Sequence, residues 1–288
     1  MSPTSVALLL VTACLHATWN ALTKRATDAF LFLWSSMTLA TLTLVPVAWW
    51  IGFGDVWSAG AIAPVLGSAG VHAVYFVVLA RAYREGDLSL VYPIARGLGV
   101  ALVPVLAVPF LGEIPTIQGA LGIALVVLGI VVIGVLGRAT SGDGPFARGL
   151  PRGAPWALAT GPLIATYSLL DHEGVRVVHP LPFLVTTTSI ALALTAPLAL
   201  RRAQALRAEW RAHGRTIAIA STTNLSGYLL VLFAFRSEPA GYVVATRELS
   251  IVVAALVGAR LLGEGRAAMR VLGASVVVAG VALVATSR

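Results

Sequence analysis

Charge is what this chain most lacks. Asp, Glu, Lys and Arg make up 11% of its 288 residues, against roughly 25% in a soluble globular protein. So little charge cannot clothe a water-facing surface, and the solvent it implies is a bilayer. Cysteine is almost missing too. Cys14 stands alone, which excludes an intramolecular disulfide. No basic stretch leads into the first apolar run, so a cleaved secretory signal is not expected. "VTAC" before Leu15 has the outline of a lipoprotein cleavage box, but the apolar run continues through it, and Cys14 is expected to be a small residue of the first helix. There is no Walker A sequence and hence no ATP site of that kind. No familiar zinc spacing occurs either. "DHEGVRVVH" at 171–179 holds acids and histidines, but it falls between two apolar runs in the wrong spacing, so neither a metal nor a cofactor is expected.

What is present is apolar length. Hydrophobic residues form 58% of the chain. Ten apolar segments can be read, at 4–23, 29–52, 60–83, 88–110, 115–137, 154–171, 181–200, 215–235, 240–262 and 266–286. Each is near the ~20 residues that a helix needs to cross ~30 Å of hydrocarbon. Open sheet edges go unsatisfied in lipid, so these segments are expected to be helices. The fold class expected is an all-α integral membrane protein of ten transmembrane helices.

The chain also repeats itself. "YPIARGLGVALVPVLAVPFLGE" at 92–113 aligns without a gap with "VVATRELSIVVAALVGARLLGE" at 243–264. Arg96 falls on Arg247, Leu-Gly-Glu falls on Leu-Gly-Glu, and Gly122 and Gly129 fall on Gly273 and Gly280. "ATWN" at 17–20 matches "ATYS" at 165–168, and "AYR" at 82–84 matches "AFR" at 234–236 after a one-residue gap. The expected organisation is a first five-helix repeat at 1–137, a loop at 138–153 and a second repeat at 154–288. Five is odd, so the second copy enters the membrane from the opposite side, which is the inverted-repeat build of many secondary transporters.

The net charge of +8 sits mostly in short gaps between apolar runs, where it orients a membrane protein, so no nucleic-acid partner is expected. One set of gaps holds Lys24, Arg25, Arg84, Arg138, Arg201, Arg202 and further arginines. The other holds little beyond Arg176, Arg236 and Arg288. The positive-inside rule places the first set in the cytoplasm and both termini outside.

The ten runs, the two halves, the twice-used "LGE" at 111–113 and 262–264, and "HATWNALTKRA" at 16–26 carry a resemblance. The chain resembles, over essentially its whole length, the EamA-type members of the drug/metabolite transporter superfamily. The resemblance implies a central cavity lined mainly by the first, third and fourth helices of each half, with the fifth and tenth peripheral. It implies export of a small metabolite across a cell membrane, here expected to be a bacterial inner membrane. It also implies cytoplasmic termini, against which the charge bias stands.

Ionisable residues at bilayer depth are costly and point to function. Arg96 and Arg247 lie well inside apolar runs. Both are expected to face the cavity, where a planar guanidinium suits a carboxylate, phosphate or phosphonate. The alternative role for each is bracing of helix ends, with Glu248 neutralising charge locally. Tyr92 and Pro93 precede the first arginine, and a proline there frees backbone carbonyls. His16, Trp19 and Asn20 share a helical face. Tyr167 in the sixth run, His72 and Tyr75 in the third, and Asn224 and Tyr228 in the eighth complete the expected substrate-binding set. His16 or His72 is the candidate carrier of a coupling proton; the plainer role for each is a structural hydrogen bond. Glu113 and Glu264 read as caps of the helices that follow them. The repeated glycines read as close-packing faces, suited also to a homodimer contact.

Three functions compete. The first is a secondary transporter of a small polar or anionic metabolite, working by alternating access. The second is a transport-inactive subunit or receptor. The third is an intramembrane enzyme, for which "NLSGY" at 224–228 supplies a serine but no histidine placed to partner it, so no catalytic residue is assigned.

Overall fold

The computed structural model describes residues 1–23, 25–85, 88–133, 153–253 and 267–287. Among them no strand occurs, and the chain is a bundle of helices. In chain order these are α1 (Pro3–Thr23), α2 (Ala29–Ile51), α3 (Ile62–Glu85), α4 (Leu88–Leu111), α5 (Ile117–Val131), α6 (Ala154–Val177), α7 (Pro180–Leu200), α8 (Ala203–Phe235), α9 (Ala240–Arg247) and α10 (Ala267–Thr286). Local chemistry sets several of their starts. Asp28 caps α2 by accepting from Leu31 N–H, and Thr116 caps α5 by accepting from Gly119 N–H. His179 accepts from Leu181 N–H ahead of α7, with Pro180 at the first helical position, where no amide is missed. Gly52 ends α2 at φ 102, a conformation open to glycine.

Six described helices are long and apolar enough to cross a membrane, fewer than the ten expected. The reasons are local. Helix α6 carries Asp171, His172, Glu173 and Arg176; α5 and α10 fall among the shorter apolar helices; and the run expected at 240–262 is broken. Its helix stops at Arg247, turns at Glu248 and resumes over residues 249–253. The sequence pointed to Pro93 as the place where the backbone would open, yet helical geometry continues through that position in α4.

Contacts between helix ends define two faces. On the first, the Met1 amino group donates to Ala285 O at 3.0 Å and Ser2 N–H to Glu238 at 2.7 Å. On the second, Arg202 after α7 pairs with Asp28 before α2, and Trp156 near the start of α6 donates to Glu85 at the end of α3 at 2.8 Å. Helix α1 therefore runs from the first face to the second, and α6 from the second to the first. Packing follows the same exchange. Helix α1 lies on α8 and α3 on α6, α2 lies on α8 and α7 on α3, and α5 pairs with α10.

That last pair explains the repeated glycines. A Cβ at Gly122 would sit 2.7 Å from Gly280 O, and one at Gly280 would sit 2.6 Å from Gly122 O. Gly129 and Gly273 stand in the same reciprocal relation, at 2.7 and 2.9 Å. Backbones approach this closely only without side chains between them. The glycine faces meet inside one chain, which is the close packing expected of them.

Glu113 also departs from expectation. It does not cap α5. Its carboxylate accepts from Ala240 N–H at 2.8 Å, the first residue of α9, and meets His172 Nε2 at 3.2 Å. Glu264 lies outside the described residues. The outer surface is apolar, with Trp49, Trp50, Phe110 and Ile117 exposed, as lipid contact requires.

Candidate functional site

Apolar packing fills most of the bundle, but its centre is polar. A cavity of about 60 Å³ is lined there by His16, Trp19, His72, Tyr75, Arg96, Tyr167, Asn224, Tyr228 and Arg247. By the same measure one water needs about 10–15 Å³, so the space suits a small polar head rather than a bulky molecule. Nine of the expected site residues thus meet at one place. Asn20 does not reach it. Its Nδ2 donates to His16 O at 2.8 Å, and it lines a vestibule of about 500 Å³ beside Thr23, Arg81, Arg84 and Arg202. The vestibule adjoins the cavity along α1 and α3, where Asn20 and Ala80 follow Trp19 and Leu79, and lies at the second face. The side chain of Tyr92 lies outside the described residues.

The two arginines occupy matching positions but different electrostatic states. Arg96 is buried and forms a two-pronged ion pair with Glu248: Nε donates to Oε2 at 3.0 Å and Nη2 donates to Oε1. Arg247 is 1% exposed, and among the described residues its Nε and Nη2 have no hydrogen-bond partner. The nearer Glu248 oxygen lies 3.8 Å from its Nε. Glu248 therefore neutralises chiefly the arginine of the other half rather than its own neighbour, and Arg247, which lines the cavity, keeps two buried donors without a hydrogen-bond partner among the described residues. A buried guanidinium with unmade hydrogen bonds is costly and favours an acceptor beside it.

Aromatic rings shape the rest. His72 lies 4.3 Å from Tyr167 between ring centres, with Tyr75 and Tyr228 edge-on to the same imidazole. Trp19 Nε1 donates to His16 Nδ1 at 3.1 Å, which fixes one histidine nitrogen as an acceptor. The cavity is also walled by helices outside the expected set: Leu33 and Met37 from α2, and Leu184, Thr187 and Thr188 from α7.

One buried group escaped sequence reasoning. Asp171, fully buried, lies within α6 and not between spans: Ser68 Oγ donates to its Oδ1 and Tyr228 Oη to its Oδ2. The signal was present, because Asp171 stands four residues after Tyr167 and so on the same helical face. Among the described residues no group of three His, Cys, Asp or Glu is arranged to hold a metal ion.

These features define a multi-pass membrane protein with a polar centre walled by both halves. The sequence model of the EamA-like transporter family matches residues 3–135 and 151–286, and the chain belongs to that family. By family it is a transporter rather than an enzyme. It is 36% identical over 70 residues to the nicotine metabolites export pump subunit NepA of Paenarthrobacter nicotinovorans; the match takes in 24% of this chain and 60% of that relative. A solved crystal structure, described only as that of a protein, aligns with TM-score 0.75 at 16% identity, covering 99% of this chain and 97% of the other. At that identity the likeness is one of fold.

Proposed function

We propose that the chain is a secondary transporter that moves a small anionic or polar metabolite by alternating access. Two inverted five-helix halves, with ten spans in all, rock about the central cavity. The observation that carries this reading is the pair of matching arginines brought to one cavity, one neutralised and one with free donors. Arg247 is the seat for a carboxylate, phosphate or phosphonate head, since its planar fork matches those oxygens. Arg96 and Glu248 hold that seat in place across the two halves. His16, Trp19, Tyr75 and Asn224 bound the remainder of the bound molecule. The vestibule lies on the face rich in arginine, which the positive-inside rule places in the cytoplasm. Substrate then enters from the cytoplasm and leaves outward, in keeping with an export role.

The test is a thermal-shift screen of the purified protein against carboxylates, phosphates, phosphonates and neutral amino acids. A ligand of the folded state raises Tm by mass action. An anion that stabilises the wild type and loses its effect in Arg247→Gln supports the reading. Stabilisation by neutral compounds alone, equal in wild type and variant, overturns the anion seat.

A further inference from the structure

The cavity holds a buried acid that the transport reading has not used. Asp171 is fully buried, and each of its oxygens receives a hydroxyl, from Ser68 and from Tyr228. Neither donor carries charge. Both can turn to serve a carboxylate or a carboxylic acid, because a hydroxyl donates and accepts. Ser68 Oγ also lies 3.1 Å from His72 Nδ1, and the His72 ring lines the cavity. A hydrogen-bonded file therefore runs from the cavity wall through His72 and Ser68 to Asp171.

We propose that Asp171 is the proton-binding site of this transporter, loaded through His72 and Ser68 and coupled to the anion seat at Arg247. In the loading step a cavity-side proton adds to His72 Nε2, and the imidazolium then gives its Nδ1 proton to Ser68 Oγ while the Ser68 hydroxyl proton passes to Asp171 Oδ1. His72 is left neutral, Asp171 becomes a neutral carboxylic acid, and the reverse sequence unloads it. The groups facing Asp171 make this useful. They are His72 from α3, Tyr228 from α8 and Arg247 from α9, with Tyr167 on its own helix. Helix α4 adds Arg96, already paired with Glu248, and the cavity residues of α7 are uncharged. With Asp171 ionised, Arg96 and Arg247 balance Glu248 and Asp171. An anion arriving at Arg247 unbalances the set by one charge, and one proton on Asp171 restores it. This coupling rests on the anion reading; the proton site itself does not.

Infrared difference spectroscopy of the reconstituted protein, taken between acid and alkaline buffer without any ligand, tests both. A C=O stretch of a protonated carboxylic acid should titrate in the wild type and vanish in Asp171→Asn. Asp171→Glu should keep the band at a displaced frequency, which guards against a misfolded Asn variant. Arg247→Gln removes the facing cation and should displace the titration midpoint by about one pH unit or more, the usual reach of a nearby charge. Identical difference spectra in wild type and Asp171→Asn overturn the proton site. A band lost in Asp171→Asn with an unmoved midpoint in Arg247→Gln overturns the coupling alone. Failure of the anion reading shows separately, in the thermal-shift screen.

Discussion

Glu248 serves both buried arginines, so removing its charge should cost more than removing the charge of its closer partner. In Glu248→Gln, Arg96 loses a two-pronged carboxylate and Arg247 loses the carboxylate 3.8 Å from its Nε. Breaking a buried ion pair by deleting one partner costs about 3–5 kcal/mol. In Arg96→Gln, Glu248 keeps a cation within reach. It can turn to the open Nε and Nη2 of Arg247, which limits the loss to about 1–3 kcal/mol. A chain of this size loses about 2–4 °C per kcal/mol. Glu248→Gln should therefore unfold roughly 10 °C below wild type, and Arg96→Gln about half as far below. The assay is intrinsic tryptophan fluorescence on a thermal ramp in detergent, with the double variant included. The double variant should fall short of the sum of the singles, because both act on one pair. An Arg96→Gln protein that unfolds at or below the temperature of Glu248→Gln would refute the assignment of Glu248 to both arginines.

Further outcomes follow from the same structure. Gly122→Ala forces a methyl against Gly280 O and should cost about 1–3 kcal/mol, seen as a lower Tm. The molar mass by light scattering should stay unchanged, because that face is closed within one chain. Glu113→Gln weakens the cap on α9 and should cost about 1 kcal/mol by thermal unfolding. Burial first, and the Arg236 charge second, hold His179 below its ordinary pKa. Its neutral form is thus the folded one, and its contribution to stability is complete above about pH 6.5 and lost as pH falls toward the lowered value. His179→Asn keeps a capping side chain and should flatten that acid-side slope in Tm.

The sequence was a good guide to the central arginines because charge inside an apolar run is conspicuous whatever the fold. The repeat added Tyr167, His72 and Asn224 by pointing to equivalent helices. Asp171 was lost for the opposite reason. A charged cluster at the end of an apolar run looks like a helix boundary, whereas α6 stays helical to Val177 and Asp171 is buried against Ser68 of α3 and Tyr228 of α8. Glu113 was misread because its partner lies 127 residues away, where no local pattern reaches. The break at Glu248 carries no proline or glycine to announce it, and an ion pair between halves accompanies it.

The two halves share a plan but not an inventory. Gly97 stands where the second half has Glu248, and Thr23 stands where it has Asp171. A pair of identical half-length chains would carry either two such carboxylates or none, and each choice would leave its arginines in the same condition. Joining the halves in one polypeptide removes that constraint. One arginine can be quenched while its twin stays available, and one acid can be placed on one side of the pseudo-axis only. Covalent fusion thus lets a symmetric frame hold a chemically one-sided centre, and the substitutions that tune it can accumulate in one copy without being repeated in the other.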